Sequence, residues 1–406
     1  MLVIRNARVA CMTSAQALAG DGPLALIEDG AVACDAEHIV YIGASAKAPA
    51  ASETIDAEGA LLTPGLIDPH THLVFAGDRA QEHAQRLAGT SYLEIARQGG
   101  GIRGTVRATR AASDEELLKS ATARLRRMLA SGVTTAEVKT GYGLSVQQEL
   151  RMLRLAVQAG TASGCEVIPT LLGLHAIPEE LSREEWLAQV CNQLLPAAAA
   201  AGARGCDAFC EQGAFTPAEC RTFLQAGISL GLTAHLHADQ LSDSGGARLA
   251  AELGCASADH LERASAEGIA AMVRSGTAAV LLPLAAWFLR ETPARAAPFL
   301  EAGVTVALAS NLNPGSQRIE SVSMLLAAGC LFSGLTPAQA LWACTAGAAK
   351  ALRLDDRGIL KAGNRADLVV FDTRDAAHLP YHAGVEHARV VISAGKVVYQ
   401  RERCCL

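Results

Sequence analysis

Through the middle of the chain, short apolar runs alternate with stretches whose apolar residues recur every three or four positions. The runs that read as strands are LTPGLIDPHTHL, TTAEVKTGYG, EVIPTLLGLHA, CDAFCEQGAF, LTAHLHADQ, ASADHLE, TAAVLLPLA and VTVALASNLNPG. Most of the intervening lengths have helical periodicity. The clearest runs from Ser113 to Gly132, with Leu117, Leu118, Ala121, Leu125, Met128 and Leu129 on one face. Ser113 with Glu116 three residues on predicts a capping box at its start, and Gly132 predicts its end.

The two ends have a different texture. Leu2–Val9 and Ala31–Ile42, punctuated by Gly30 and Gly43, carry the β-branched alternation of half-buried strands. The same texture returns in Ala366–Asp372 and Ala388–Gln400. Pairing of the two ends into one small sheet domain is expected. The central repeat of eight βα units fits a (β/α)8 barrel, with an open doubly wound sheet as the alternative. Polar residues cluster at the carboxyl ends of nearly all the predicted strands, where a closed barrel would gather them around one mouth. The expected fold is therefore α/β: a (β/α)8 TIM barrel over 63–354 beside a composite β-sandwich from 1–62 and 355–406.

Composition narrows the picture without redirecting it. The chain has 406 residues, half of them hydrophobic and 19% charged, which excludes a disordered or fibrous protein. A net charge of -6 without blocks of like charge gives no reason to expect nucleic acid or an anionic membrane as partner. No apolar run reaches the length of a membrane span. No basic segment followed by a long apolar core opens the chain, so no secretory signal is read. The twelve cysteines form no CxxC or paired zinc spacing, which suits reduced thiols and a cytoplasmic location.

Candidate chemistry sits at the strand ends. His70 and His72, two apart on a strand, point to one side, and convergent imidazoles can hold a divalent metal. An ordinary pair of polar strand-end residues is the plain alternative. His235 and His237 repeat the spacing ahead of Gln240, and His175 and His260 end two further strands. Arg79, just past the first pair, is a natural fork for a substrate carboxylate, or else a solvated side chain. Tyr92 and Tyr142 lie near glycine-rich strand ends, within reach of a ligand. Asn313, Gly315 and Ser316 form an Asn-Pro-Gly turn that would present polar groups or simply reverse the chain. Lys139 has the chemistry for a carbamylated metal bridge, although a structural or substrate-orienting role fits its context better.

PGLIDPHTHLVFAGDRA, GGGIRGTVRATRAAS, GVTTAEVKTGYGL, HADQL, SADHLE and NPGS, in this order, resemble the imidazolonepropionase family of the amidohydrolase superfamily. The resemblance covers nearly the whole chain. It implies a barrel beside a composite β-sandwich and one zinc or iron ion. The implied reaction opens 4-imidazolone-5-propanoate to N-formimidoyl-L-glutamate in histidine degradation. By motif, His70, His72 and His237 resemble metal ligands. Gln240 and His260 match positions that handle protons or hold the ring. Arg79, Tyr142, His175, Asn313, Gly315 and Ser316 match substrate contacts. A homodimer is compatible with the reading.

One departure matters. The family pattern carries aspartate, as metal ligand and proton acceptor, where this chain has Asn311. An amide oxygen can coordinate but brings no charge and cannot act as a general base. Weakened metal binding and severely reduced turnover are expected unless another group substitutes. A smaller departure is His235, where lysine is common. Two other readings follow from the same residues. One is a different cyclic amidohydrolase or a deaminase of a small heterocycle; the other is a ligand-binding paralogue without catalysis.

Overall fold

The computed structural model describes residues 1–13, 24–90, 94 and 99–401. Tyr92 lies outside these residues. The N-terminal segment forms β1 (Leu2–Ala10), β2 (Leu26–Asp35), β3 (His38–Ala44), β4 (Glu53–Asp56) and β5 (Leu61–Pro64). The barrel strands follow: β6 (Leu66–Thr71), β7 (Val133–Lys139), β8 (Glu166–Leu174), β9 (Gly205–Cys210), β10 (Thr233–Ala238), β11 (Ser257–His260), β12 (Ala278–Leu281) and β13 (Val306–Leu308). β14 (Leu368–Phe371), β15 (Ala388–Ser393) and β16 (Lys396–Gln400) end the chain.

β6 to β13 pair in parallel with their sequence neighbours. The ring closes at its carboxyl end. There the Asn311 amide donates to the His70 carbonyl at 3.0 Å and the His72 amide to the Leu312 carbonyl at 2.9 Å. This settles the choice between a barrel and an open sheet. All the predicted central runs contain barrel strands, but the first is split. Leu61–Pro64 joins the terminal sheet and only Leu66–Thr71 enters the barrel. The hand-over falls on Gly65, where a Cβ would collide with the Thr134 side chain and with Asp367 Cβ at 2.9 Å.

Both termini build one mixed sheet, in the order β16-β15-β14-β5-β1-β2-β3 with β4 beside β1. Strand alternation gives this sheet two jobs. Leu368 and Val370 face its own core with Leu2, Ile4, Val32 and Ile392, whereas Val369 and Phe371 pack into the barrel's core. Two predicted end segments are hairpins rather than single strands. Ala31–Ile42 turns at Ala36 (φ 47°), and Ala388–Gln400 turns at Ala394 and Gly395 (φ 49° and 74°). Two successive positive φ values match the right-handed twist of the flanking strands.

The helix expected from Ser113 spans Asp114–Ala130 and has the reciprocal capping box. Ser113 Oγ accepts from the Glu116 amide at 3.2 Å, and Glu116 accepts from the Ser113 amide at 2.8 Å. Among the described residues, no helix is long and apolar enough to cross a membrane. The ten described cysteines are free thiols.

Candidate active site

Strand alternation aims a set of polar side chains from five barrel strands at one point. His70 comes from β6 and His72 from just past its end, Glu137 and Lys139 from β7, and Asp207 from β9. His235 and His237 come from β10, Asp259 and His260 from β11. All are buried. In β6 the register against β7 slips between Asp68 and Thr71, around Pro69, which has no amide to donate. Such a bulge re-aims the side chains that follow it. In β11 the alternation itself breaks. His260 takes φ 82° and Leu261 φ 69°, so Asp259 and His260 both serve the mouth although adjacent in sequence. Positive φ at a histidine is strained backbone, which persists where surrounding structure over-determines it.

The imidazoles meet at close range. His72 Nε2 lies 3.1 Å from His70 Nε2 and 3.4 Å from His237 Nε2. His70, His237 and His260 each offer a ligand atom within 4.8 Å of the others. Two ring nitrogens about 2.05 Å from one tetrahedral ion stand about 3.3 Å apart, so the spacing fits a shared cation. The protonation pattern fits too. His70 Nδ1 donates to Asp259 Oδ2 at 2.6 Å, which leaves its Nε2 with a bare lone pair. His237 Nδ1 lies at ion-pair distance, 3.0 Å, from Asp207 Oδ2. Burial, reinforced by the Lys139 charge and the neighbouring rings, holds His70 well below the usual imidazole range. Burial and the His237 and His175 rings do the same to His72. Burial brings His237 down to about 4, against the pull of Asp207. Neutral imidazoles are the form that binds metal.

Beneath the rings lies a charged layer of which the sequence reading singled out only Lys139. Lys139 Nζ, fully buried, contacts Asp207 Oδ2 at 2.7 Å, Glu137 Oε1 at 2.9 Å and Asp259 Oδ2 at 3.6 Å. Burial drives the Asp207 carboxyl up, but His237 and Lys139 outweigh it and hold it well below the usual range. Burial leaves Glu137 at about 8 and Asp259 at about 6, with Lys139 opposing. Lys139 is therefore an ammonium pinned among carboxyl groups. A carbamate there would add another anion to the group. For its carboxyls the only signal in the sequence was acidic residues inside apolar strand runs; their partners lie on distant strands.

His235 sits one layer below His237. Its Nδ1 donates to Ser257 Oγ at 2.9 Å, and the Ser257 hydroxyl donates to Asp259 Oδ1 at 2.5 Å. It is thus tied to the carboxylate that orients His70. Asp239 spends its carboxylate on the amides of Ser244, Gly246 and Ala247 at 2.8–3.0 Å, fixing the loop after β10. Gln240, next to it, is partly exposed.

The rim holds the other expected residues. His175 stacks on His72, with ring centroids 5.4 Å apart, and donates from Nδ1 to the Gly141 carbonyl at 2.9 Å. Tyr142 packs 5.3 Å from His175 and 6.1 Å from His72. The Arg79 charge is felt by both His175 and Tyr142. Arg79 Nε donates to Glu82 at 3.0 Å. Its guanidinium lies so close to Gly315 that a Cβ there would stand 2.5–2.7 Å from it. A side chain at 315 would push the guanidinium from this place. Asn313 turns inward. Its Oδ1 accepts from the Gly315 and Ser316 amides at 2.8 Å, and its Nδ2 donates to the Asn311 carbonyl and to Ser316 Oγ. It organises the turn with its whole amide. Asn311, buried and at φ 57°, stands beside His70 through the closing backbone bond.

A barrel whose carboxyl-end mouth gathers neutral imidazoles over buried carboxylates defines a metal-dependent hydrolase. The amidohydrolase family matches over residues 61–398. The imidazolonepropionase of Anaeromyxobacter dehalogenans (strain 2CP-1 / ATCC BAA-258) is 49% identical, over 98% of this chain and 96% of its own. That of Myxococcus xanthus (strain DK1622) is 48% identical over 90% and 89%. That of Geobacillus kaustophilus (strain HTA426) is 44% identical over 92% and 91%. The chain belongs to the amidohydrolase family and, within it, to the imidazolonepropionases. Zinc-complexed atrazine chlorohydrolase from Arthrobacter aurescens TC1 shares the fold at TM-score 0.76 and 19% identity, over 99% of this chain and 96% of that one. The 5-methylcytosine deaminase of Klebsiella pneumoniae does so at 0.75 and 18%, over 100% and 98%.

Proposed function

We propose that this chain hydrolyses the ring amide of 4-imidazolone-5-propanoate, a small heterocycle with a carboxylate tail, to N-formimidoyl-L-glutamate. Water adds at the ring carbonyl carbon, the ring C–N bond breaks, and a carboxylate and a formimidoyl group result. The observation that carries this reading is the placement of Arg79. A guanidinium seated on the Gly315 backbone, its charge reaching Tyr142 and His175 beside the imidazole cluster, supports a carboxylate subsite next to a ring subsite.

His70, His72 and His237 would hold one zinc or iron ion, with the Asn311 amide oxygen as a further donor. Imidazole suits both metals. Such an ion supplies Lewis acidity toward water and the ring carbonyl. The remaining work falls to the side chains. Arg79 clamps the propanoate and so orients the ring, which converts binding into a near-attack geometry. Tyr142 and His175 flank the ring; His175, with Nδ1–H committed to Gly141, offers Nε2 as an acceptor. His260, whose Nδ1 faces Glu262 Oε2 at 3.6 Å, takes and returns the proton. Gln240 would add a hydrogen bond but no charge. Asn311 cannot accept a proton, so turnover is low.

The neutral amide at Asn311 favours a second reading, a paralogue that binds the same ligand without turnover. One experiment separates them. Zinc- or iron-loaded protein is incubated with 4-imidazolone-5-propanoate and N-formimidoyl-L-glutamate is followed by mass spectrometry. Slow turnover that depends on Arg79 supports the hydrolase. Binding without product supports the paralogue. Neither binding nor product contradicts both.

A further inference from the structure

The loop after β7, Thr140 to Ser145, presents Tyr142 to the mouth, and its backbone is held with few polar groups left over. Glu149, fully buried in the helix Val146–Ser163, reaches back over that helix's first turn. Its Oε2 accepts from the Gly141 amide at 2.7 Å, and its Oε1 from the Gly143 and Leu144 amides at 2.7 and 2.6 Å. The carbonyls are taken from the other side. Arg110 donates through Nε to Gly143 at 2.7 Å and through Nη2 to Leu144 at 2.8 Å, and its Nη1 pairs with Glu180 at 2.6 Å. The Gly141 carbonyl receives His175 Nδ1.

Close packing makes this arrangement rigid. A Cβ on Gly143 would stand 2.6 Å from Gln148 and Glu149 backbone atoms, and one on Gly141 would stand 2.6 Å from His175 Nδ1. Gly141 and Leu144 both have positive φ, 107° and 47°. The loop therefore has one available shape, and two charged side chains that face away from the reacting groups maintain it.

We propose that Glu149, backed by Arg110, is a positioning residue for ligand recognition. By fixing the Gly141–Leu144 backbone it sets both the Tyr142 ring and the tautomer and direction of His175. This rests on the proposed roles of Tyr142 and His175. An amide in place of the carboxylate cannot serve three N–H donors, because half of it is itself a donor. A carboxylate at this place acts on binding of the ring, not on the ion.

Two measurements on the full-length, zinc-loaded protein test this. Hydrogen exchange by mass spectrometry reads the amides of 141–144, and calorimetry reads the affinity for imidazole-4-propanoate, an unreactive ring with the same tail. Glu149→Gln should speed exchange in that peptide at least about 10-fold and weaken the ligand about 10-fold, with zinc content unchanged. The double variant Glu149→Gln/Tyr142→Phe should lose less affinity than the two single losses combined, because Glu149 acts in part through the Tyr142 ring. Arg110→Lys, at a half-buried position, should show the same pattern more weakly and serves if Glu149→Gln does not fold. Unchanged exchange, or effects of the two substitutions that add, would overturn the proposal. If the unaltered protein does not bind the probe, the functional reading fails, and the exchange result alone still decides whether Glu149 holds the loop.

Discussion

The two sides of the barrel mouth are built on opposite electrostatic plans. On the side of β6, β7, β9, β10 and β11, each of two ring nitrogens has a carboxylate behind it, and one ammonium ties the carboxylates together. On the side of β13, every polar group from Asn311 to Ser316 is neutral, and Asn313 satisfies the turn with its own amide. The contrast teaches where negative charge toward a cation comes from in this chain. It reaches the imidazoles from the buried layer below and not from the strand end beside them. Imidazoles backed by carboxylates are oriented and made more basic. A neutral neighbour can add only a lone pair.

The comparison can be broken at its neutral side first. Asn311→Asp should raise ring-opening turnover by about 10²–10⁴, the usual worth of a general base, in a product assay at fixed metal. No gain at full metal occupancy would mean that the charged side already supplies what the reaction needs. Cutting the charged side should have the next largest effect. Asp259→Asn should weaken zinc about 10–100-fold in a chelator competition, since it releases His70.

Protonation probes the same side without mutation. Burial holds His175 and His237 at about 4 and His235 at about 3. Unfolded imidazoles take up protons below about 6.5, whereas these do so only below 3–4. In between, the unfolded state binds more protons, so stability falls as pH drops from 6.5 toward 4. Each such histidine costs up to about 1.4 kcal/mol per pH unit, read from urea midpoints of chelator-treated protein. The smallest effect belongs to the neutral side. Asn313→Ala leaves the Gly315 and Ser316 amides unpaired and should cost about 1–3 kcal/mol of stability in the same urea assay.

What could be read in the sequence follows from how local each signal is. The His70/His72 pair and the Ser113 capping box depend on residues two to three apart; the box forms, and the two rings lie side by side, whereas His235 parts from His237 and turns to Ser257. The buried layer does not depend on such neighbours. His70 and Asp259 are 189 positions apart, and nothing near either names the other. The break in alternation at His260 is a backbone property that no residue pattern announced. The split at Gly65 was hidden because Leu61–Pro64 and Leu66–Thr71 are equally apolar, and only their partners differ. Asn313 was legible as a turn residue; that its own turn consumes its whole amide was not. At the termini, glycine marked the strands, but the turns at Ala36 and Ala394 use alanine in a conformation that alanine rarely adopts.

The central claim is that imidazoles from β6 and β10 share one cation. Zinc titration of chelator-stripped protein, followed by calorimetry, tests it most directly when His237→Ala is run beside the unaltered chain. One zinc per chain, lost in the variant, is the result expected. Absence of binding in the unaltered chain, or the same binding in both, would contradict it.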